Sequence, residues 1–327
     1  MRSHMESLKS NLKNLKLTVL IPAYNEEGTI KQVIQEIPKT FDSIREIDVI
    51  VIDDGSSDNT VNVALDSGAF VYSFTHNKGL AKAISHGFEK CLEHNTDILV
   101  ILDADNQYDS KEIPLLLKPI MEQRADIVLG DRQIDKLDHM PKQKKIGNKM
   151  VSKVVSRLVG QKINDAQTGF RAFNRNALNK LHIFSGYTYT QETLLQAKYK
   201  GLNILDVPVT FRKRNDESRL ISNIFTYAYR TLSLLASTIV FYKSFKFFAI
   251  LSVILFGFGI SFSIFLLNHL YSTGHIQPHY PLTVLTGIFL ITGAISAIMS
   301  IISSILSRQS VLLEEINEKL KETNSKF

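Results

Sequence analysis

Two carboxylates one residue apart, Asp103 and Asp105, close the apolar run in DILVILDADNQ, residues 97–107. Side by side they repel each other unless a cation sits between them, and hard oxygen donors suit Mg²⁺ or Mn²⁺. A divalent ion with so few protein ligands normally brings phosphate with it. The competing reading is an Asp-rich turn after a strand, because Asp and Asn are common turn formers, and D-x-D by itself does not decide. A second acidic pair, Asp53 and Asp54, opens DDGSSDNT. Helix capping accounts for Ser57 and Asp58 there, but not for two aspartates ahead of Gly55. The stretch PAYNEEGT offers a ring face at Tyr24, an amide at Asn25 and a carboxylate at Glu26. In HNKG, Lys78 and Gly79 either receive phosphate through backbone N–H groups and a point charge, or form a simple turn.

These groups need elements that deliver them to one edge. Apolar runs at residues 17–21, 48–52, 69–74, 97–102 and 126–130 read as strands, with helices expected at 29–37, from near 60, after 79 and at 111–122. Strands alternating with helices argue for a parallel, Rossmann-like sheet, which binds ligands at the carboxyl ends of its strands. No G-x-G-x-x-G follows a strand, which argues against dinucleotide binding. PKQKKIGNKMVSKVVSRLVG reads as a basic helix with Ile146, Met150, Val154, Val155 and Leu158 as its apolar positions. Its lysines are a solvated face, or, at Lys144 and Lys145, are placed to meet anions. INDAQTGFRAFNR is too polar for a core strand and reads as a tight turn at Gly169 that presents Phe170 and Arg171. A helix at 191–200 carries Glu192, and a strand at 204–211 leads to RKRNDESR.

Residues 247–307 contain no Asp, Glu, Lys or Arg. Two apolar segments there, 247–267 and 282–306, each supply the roughly 20 residues that a bilayer crossing needs. Lys243, Lys246 and Arg308 flank them, while the connecting loop has neither Lys nor Arg, so the positive-inside tendency puts the N-terminal domain and the tail in the cytoplasm. The single cysteine, Cys91, argues against a disulfide framework. Pro278 interrupts the spacing of His275 and His279, which are given no metal role. The expected organisation is a tag remnant and lead (1–16), a cytoplasmic catalytic domain (17–220), amphipathic interface helices (221–246), a two-helix transmembrane anchor (247–306) and an amphipathic cytoplasmic tail (307–327).

The ordered set IPAYNEE, DDGSSDNT, LDADNQ, TGFR and RNDESR, followed by membrane helices, resembles family 2 glycosyltransferases of the GT-A fold. More closely, it is similar to polyprenyl-phosphate sugar transferases of the dolichyl-phosphate mannose synthase type. The resemblance implies an inverting transfer of a hexose from a nucleotide sugar, GDP-mannose ahead of UDP-glucose, to a polyprenyl phosphate with Mg²⁺ or Mn²⁺. It implies nucleotide contacts from Pro22, Ala23, Tyr24, Glu26, Asp53, Lys78, Asp103 and Ala104, and metal binding by Asp103 and Asp105. Asp105, Gln107, Arg132 and Arg214 are the implied catalytic set, with Lys144, Lys145, Arg214, Ser218 and Arg219 on the lipid phosphate. Asp216 stands where the family's R-x-G-E-S-K motif has glycine, and Arg219 where it has lysine, which alters that loop's backbone and phosphate grip. Glu192 takes a structural or positioning role, because a phosphate nucleophile has no proton that must be removed.

The implied partners are the nucleotide sugar, the polyprenyl phosphate and the bilayer. No nucleic acid is expected, and homo-oligomerisation stays open. Two other readings compete. A processive polysaccharide synthase of this fold would carry Q-x-x-R-W, and the chain has no tryptophan. A catalytically idle membrane scaffold would have no need of the intact acidic edge.

Overall fold

The stretch LKLTVLIPA is β-branched or leucine-rich at both parities, as a strand covered on both faces must be, and it forms β1 (Leu15–Ala23), buried from Lys16 onward. The computed structural model describes residues 14–138, 140–183, 189–213 and 224–324. After β1 come α1 (Ile30–Glu36), β2 (Ile44–Asp53), α2 (Thr60–Asp66), β3 (Phe70–Ser73), α3 (Leu80–Glu93), β4 (Ile98–Ile101) and α4 (Ile113–Met121). They are followed by β5 (Ile127–Asp131), α5 (Lys142–Val159), β6 (Arg171–Asn174), α6 (Arg175–Lys180), α7 (Tyr189–Tyr199) and β7 (Ile204–Pro208).

The strands form one sheet in the order β3-β2-β1-β4-β6-β5-β7. All pairings are parallel except those of β6, which runs antiparallel to β4 and β5. Leu17, Val19 and Ile21 share one core with Ile30 and Val33 of α1 and Leu116 and Ile120 of α4. On the other face Leu20 lies against α3 so closely that a Cβ on Gly87 would come within 2.5 Å of its side chain. This is the mainly parallel sheet that the strand pattern predicts, in the GT-A-like form that the resemblance implies.

The sheet forks at its centre. β1 pairs with β2 from Leu15 to Ala23, but with β4 only from Leu17 to Leu20. One more bond follows, from the Leu102 N–H to the Leu20 carbonyl at 3.0 Å. Backbone groups two residues apart face the same neighbour, so the next β1 position facing β4 is Pro22, which has no N–H to offer. The ladder stops there, just ahead of Asp103.

Two sequence expectations fail in the second half of the sheet. Residues 171–174 form β6 between β4 and β5, not a turn, and both Phe170 and Arg171 are fully buried. The Arg171 guanidinium donates to the carbonyls of Thr168 (2.9 Å), Ala166 (2.9 Å) and Thr190 (2.7 Å), so its polarity is satisfied inside the protein. Helix α5 forms as expected, but its inward face is Gly147, Asn148, Val151, Ser152, Val155 and Val159, while Ile146 and Met150 point outward. Small and polar residues face in because they bond a neighbouring loop: Ser152 Oγ accepts the Ala166 N–H (3.0 Å) and Ser156 Oγ accepts the Ile163 N–H (2.9 Å).

The chain divides into two compact units, Met1–Thr231 and Leu232–Phe327. Two long helices, α8 (Ile224–Thr273) and α9 (Tyr280–Asn324), run without a break through positions 246 and 306, where the sequence suggested boundaries. Their segments Ser244–Thr273 and Tyr280–Leu306 are long and apolar enough to cross a membrane. They are bonded to each other where Ser252 Oγ meets the Gly293 carbonyl (2.9 Å) and Ser300 Oγ the Phe245 carbonyl (3.0 Å). Small side chains allow such close helix packing in lipid.

Candidate active site

The loops after β1 and β2 are stitched to each other by short polar side chains. Asn25, with φ 53°, accepts the Ser57 N–H at 2.8 Å and donates its own N–H to Ser56 Oγ at 2.9 Å. Glu26 N–H reaches Thr60 Oγ1 (2.8 Å), and Asn59 N–H reaches Glu27 Oε2 (2.9 Å). The carboxylate of Glu26 accepts from the Thr29 hydroxyl at 3.0 Å. Ser57 therefore holds Asn25 rather than capping a helix, while Asp58 accepts the Thr60 N–H at 3.0 Å. Gly55 has φ +76°, and a Cβ there would lie 2.6 Å from the His76 carbonyl carbon, so only glycine fits this crossing of two loops.

The paired aspartates of DDGSSDNT have separate tasks. Asp53, 2% exposed at the end of β2, accepts the Ser56 N–H at 3.1 Å. Asp54 accepts the N–H groups of Lys78 (2.7 Å) and Gly79 (2.9 Å). Those are the backbone donors that the sequence offers to phosphate, and Asp54 already occupies them. What Lys78 has left is its ammonium, 4.4 Å from the centre of the Phe74 ring.

Asp103, Ala104, Asp105 and Gln107 follow β4 at the same sheet edge as Pro22, Ala23 and Asp53. The Gln107 N–H donates to Asp105 Oδ1 at 3.1 Å, which orients that carboxylate. Asp103 lies against the TGFR segment, where a Cβ on Gly169 would come within 2.6 Å of its Oδ2. Tyr108 sets that contact: its hydroxyl accepts the Gly169 N–H at 3.1 Å and shares a hydrogen bond with Thr168 Oγ1 at 3.2 Å. Burial pushes the Tyr108 hydroxyl up to about 12, so it stays neutral. Its ring packs on Phe170 and Phe211 at 5.3 and 5.0 Å.

Arg132 follows β5 and donates twice to Asp165, at 2.6 and 2.9 Å, with its guanidinium 5.2 Å from the Phe211 ring. Asp165 is fully buried, and Asp103 adds to the negative field on the guanidinium. Arg132 is thus a cation anchored at the site, not a loose surface charge. Arg212 forms a second clamp. Its guanidinium meets Asp109 (2.8 Å), Glu36 (3.1 Å) and Asn106 Oδ1 (2.9 Å), and its N–H meets the Gln107 carbonyl at 2.7 Å. The approach to RNDESR is thereby fastened to the D-x-D loop. Arg214, Asp216, Ser218 and Arg219 lie outside the described residues.

Lys144 and Lys145 start α5, and Lys145 Nζ donates to the Asp135 carbonyl at 3.2 Å. Tyr24 is 43% exposed, whereas Glu192 is only 5% exposed and lies within 3.4 Å of Gln196 on α7. Sequence reasoning missed Tyr108, Asp165 and Arg212, whose partners stand 61, 33 and 176 residues away, and no spacing rule links them. Among the described residues no group of three His, Cys, Asp or Glu is arranged to hold an ion. Asp103 and Asp105 supply two oxygen donors, which fits Mg²⁺, an ion commonly held by one or two carboxylates together with substrate phosphates.

Residues 18–182 match the family described as Glycosyl transferase family 2. The UDP-N-acetylglucosamine–dolichyl-phosphate N-acetylglucosaminyltransferase of Methanococcus voltae is 33% identical over 214 residues, covering 58% of this chain and 83% of that protein. The undecaprenyl-phosphate mannosyltransferase of Micrococcus luteus is 29% identical over 226 residues, covering 64% and 89%. Glucosyl-3-phosphoglycerate synthase from Mycobacterium tuberculosis shares the fold, with a TM-score of 0.55 at 21% identity over 72% of this chain and 83% of that one.

Proposed function

The chain belongs to glycosyl transferase family 2, and from that premise we propose a membrane-bound, inverting hexosyltransferase that glycosylates the phosphate of dolichol or another polyprenol. GDP-mannose is the favoured donor and UDP-glucose the second. The catalytic unit and the C-terminal tail lie on the cytoplasmic face. One observation carries the reading: Asp103, whose charge reaches the anchored guanidinium of Arg132, follows β4 two residues ahead of a second carboxylate, Asp105. Relatives named for dolichyl- and undecaprenyl-phosphate transfer support the acceptor class.

Asp53, Tyr24 and Glu26 hold the nucleotide's base and ribose, on loops whose backbone is already fixed by the Asn25 and Asp54 bonds. Asp103 and Asp105 hold the divalent ion, and the mycobacterial relative was solved with Mn²⁺ and uridine diphosphate. When bound, such an ion supplies Lewis-acid stabilisation to a departing diphosphate. The acceptor phosphate is an anion at neutral pH, so the protein's task is to place it in line and screen its charge. Arg132, Lys144 and Lys145 do this with Arg214, Ser218 and Arg219. Glu192, enclosed in α7, keeps a positioning role.

The test is direct. Purified full-length protein is incubated with polyprenyl phosphate, Mg²⁺ or Mn²⁺, and GDP-mannose, UDP-glucose or UDP-N-acetylglucosamine in turn, and the lipid is extracted. Glycolipid from one donor supports the proposal. No product from any donor, with nucleotide binding undetectable, overturns it in favour of the scaffold.

A further inference from the structure

We propose that the outward face of α5 is a docking surface for an anionic lipid bilayer, an inference that rests on the membrane-bound reading and goes beyond the transfer reaction. The helix carries six cations, Lys142, Lys144, Lys145, Lys149, Lys153 and Arg157, and no carboxylate. At about 100° per residue, Lys142, Ile146, Lys149, Met150, Lys153 and Arg157 fall on one side. All six are exposed. Ile146 and Met150, one turn apart, are 60% and 54% exposed, although the same helix has an inward face that could have taken them. Apolar side chains ringed by lysines suit a headgroup boundary, where the apolar groups enter the acyl region and the ammonium groups remain at the phosphates.

Charge selects the occupant. Lys149 pairs with Asp135 from outside the helix, and the helix itself contributes six cations and no carboxylate. The same chain carries two helices of membrane-crossing length, so a bilayer is the anionic surface within its reach. The position also has a consequence for the site. The inward face of α5 bonds Ala166 through Ser152, and the next residue back, Asp165, holds Arg132. A bilayer on the outer face therefore lies one helix away from the anchored cation.

The experiment uses the full chain in nanodiscs and does not depend on turnover. Cys91 is fully buried, so Met150→Cys provides one accessible thiol for a polarity-sensitive fluorophore. Leu65→Cys on α2, 51% exposed, is the control. In nanodiscs containing brominated phosphatidylglycerol, the label at position 150 should lose about half its emission while that at 65 is unaffected. The quenching should disappear in equally brominated phosphatidylcholine and when Lys142, Lys149, Lys153 and Arg157 are all changed to Gln. Ile146→Cys repeats the measurement should Met150→Cys fold poorly. Equal, absent quenching at 146, 150 and 65 overturns the proposal, as does an emission change that follows protein concentration without lipid, which would mark a contact between copies. Quenching without glycolipid formation would leave the docking surface standing and remove the proposed reaction.

Discussion

The half of the sheet formed by β1 to β4 and the half formed by β5 to β7 hold their site loops by different means. In the first, short side chains bind backbone: Asn25, Asp53, Asp54 and Asp58 accept N–H groups from the adjoining loops. In the second, long side chains reach over to distant partners: Arg132 to Asp165, Arg171 to three carbonyls, Arg212 to Glu36 and Asp109. Short bonds to backbone define a cradle whose shape exists before a ligand arrives. Guanidinium clamps instead tie distant segments together by paired charges, at the cost of burying ions that must stay paired.

Substitutions can break or sharpen this contrast. The largest effect belongs to the acidic pair that follows β4. Asp105→Ala should lower turnover by about 10³-fold or more with an unchanged unfolding temperature, since it removes charge stabilisation without disturbing the core. A fall in stability instead would make Asp105 structural. On the guanidinium side, Asp165→Ala leaves Arg132 buried without its carboxylate and should cost about 3–5 kcal/mol. Thermal unfolding of the full chain checks it, and an equal loss in Arg132→Ala/Asp165→Ala would show that the unpaired charge is not the cause. Gly169→Ala joins the halves: its methyl would displace the Asp103 carboxylate, so apparent metal affinity should weaken about 10–100-fold in a titration of turnover against Mg²⁺.

The smallest effect concerns pH. Burial pushes the carboxyl of Asp206, on β7, up to about 6 from an ordinary 3.8, against the Asn164 N–H and helped by Asp131 and Asp165. Its folded form therefore favours the proton. The associated stability is complete below about pH 4 and is lost as pH rises through 6. Asp206→Asn should accordingly be more stable than the parent at pH 8, by about 1–2 kcal/mol after allowance for its solvent-facing part, with the gap closing towards pH 4. Parallel pH profiles would show that Asp206 does not titrate in this way.

The sequence disclosed the first half more fully than the second for the same reason. A strand that ends in Asp103 and Asp105, or in Asp53 and Asp54, can be read locally because the apolar run and its acidic pair adjoin in the chain. Arg171 could not be read, because a polar segment becomes a core strand only when carbonyls from 166, 168 and 190 converge on it. Helix α5 was placed correctly, but its face was misjudged. Hydrophobicity chose Ile146 and Met150, whereas the 160s loop required hydroxyl groups at Ser152 and Ser156.

The fork at Pro22 has a consequence of a different kind. Hydrogen-bonded edges can fray or zip as temperature and ligands change, so an opening defined by them breathes. Here the stop is an imino nitrogen, written into the chain at synthesis and indifferent to solvent, pH or occupancy. The end of the β1–β4 ladder is therefore a quenched feature of the molecule: the loops around it can move, but Pro22 can never donate the bond that would extend it.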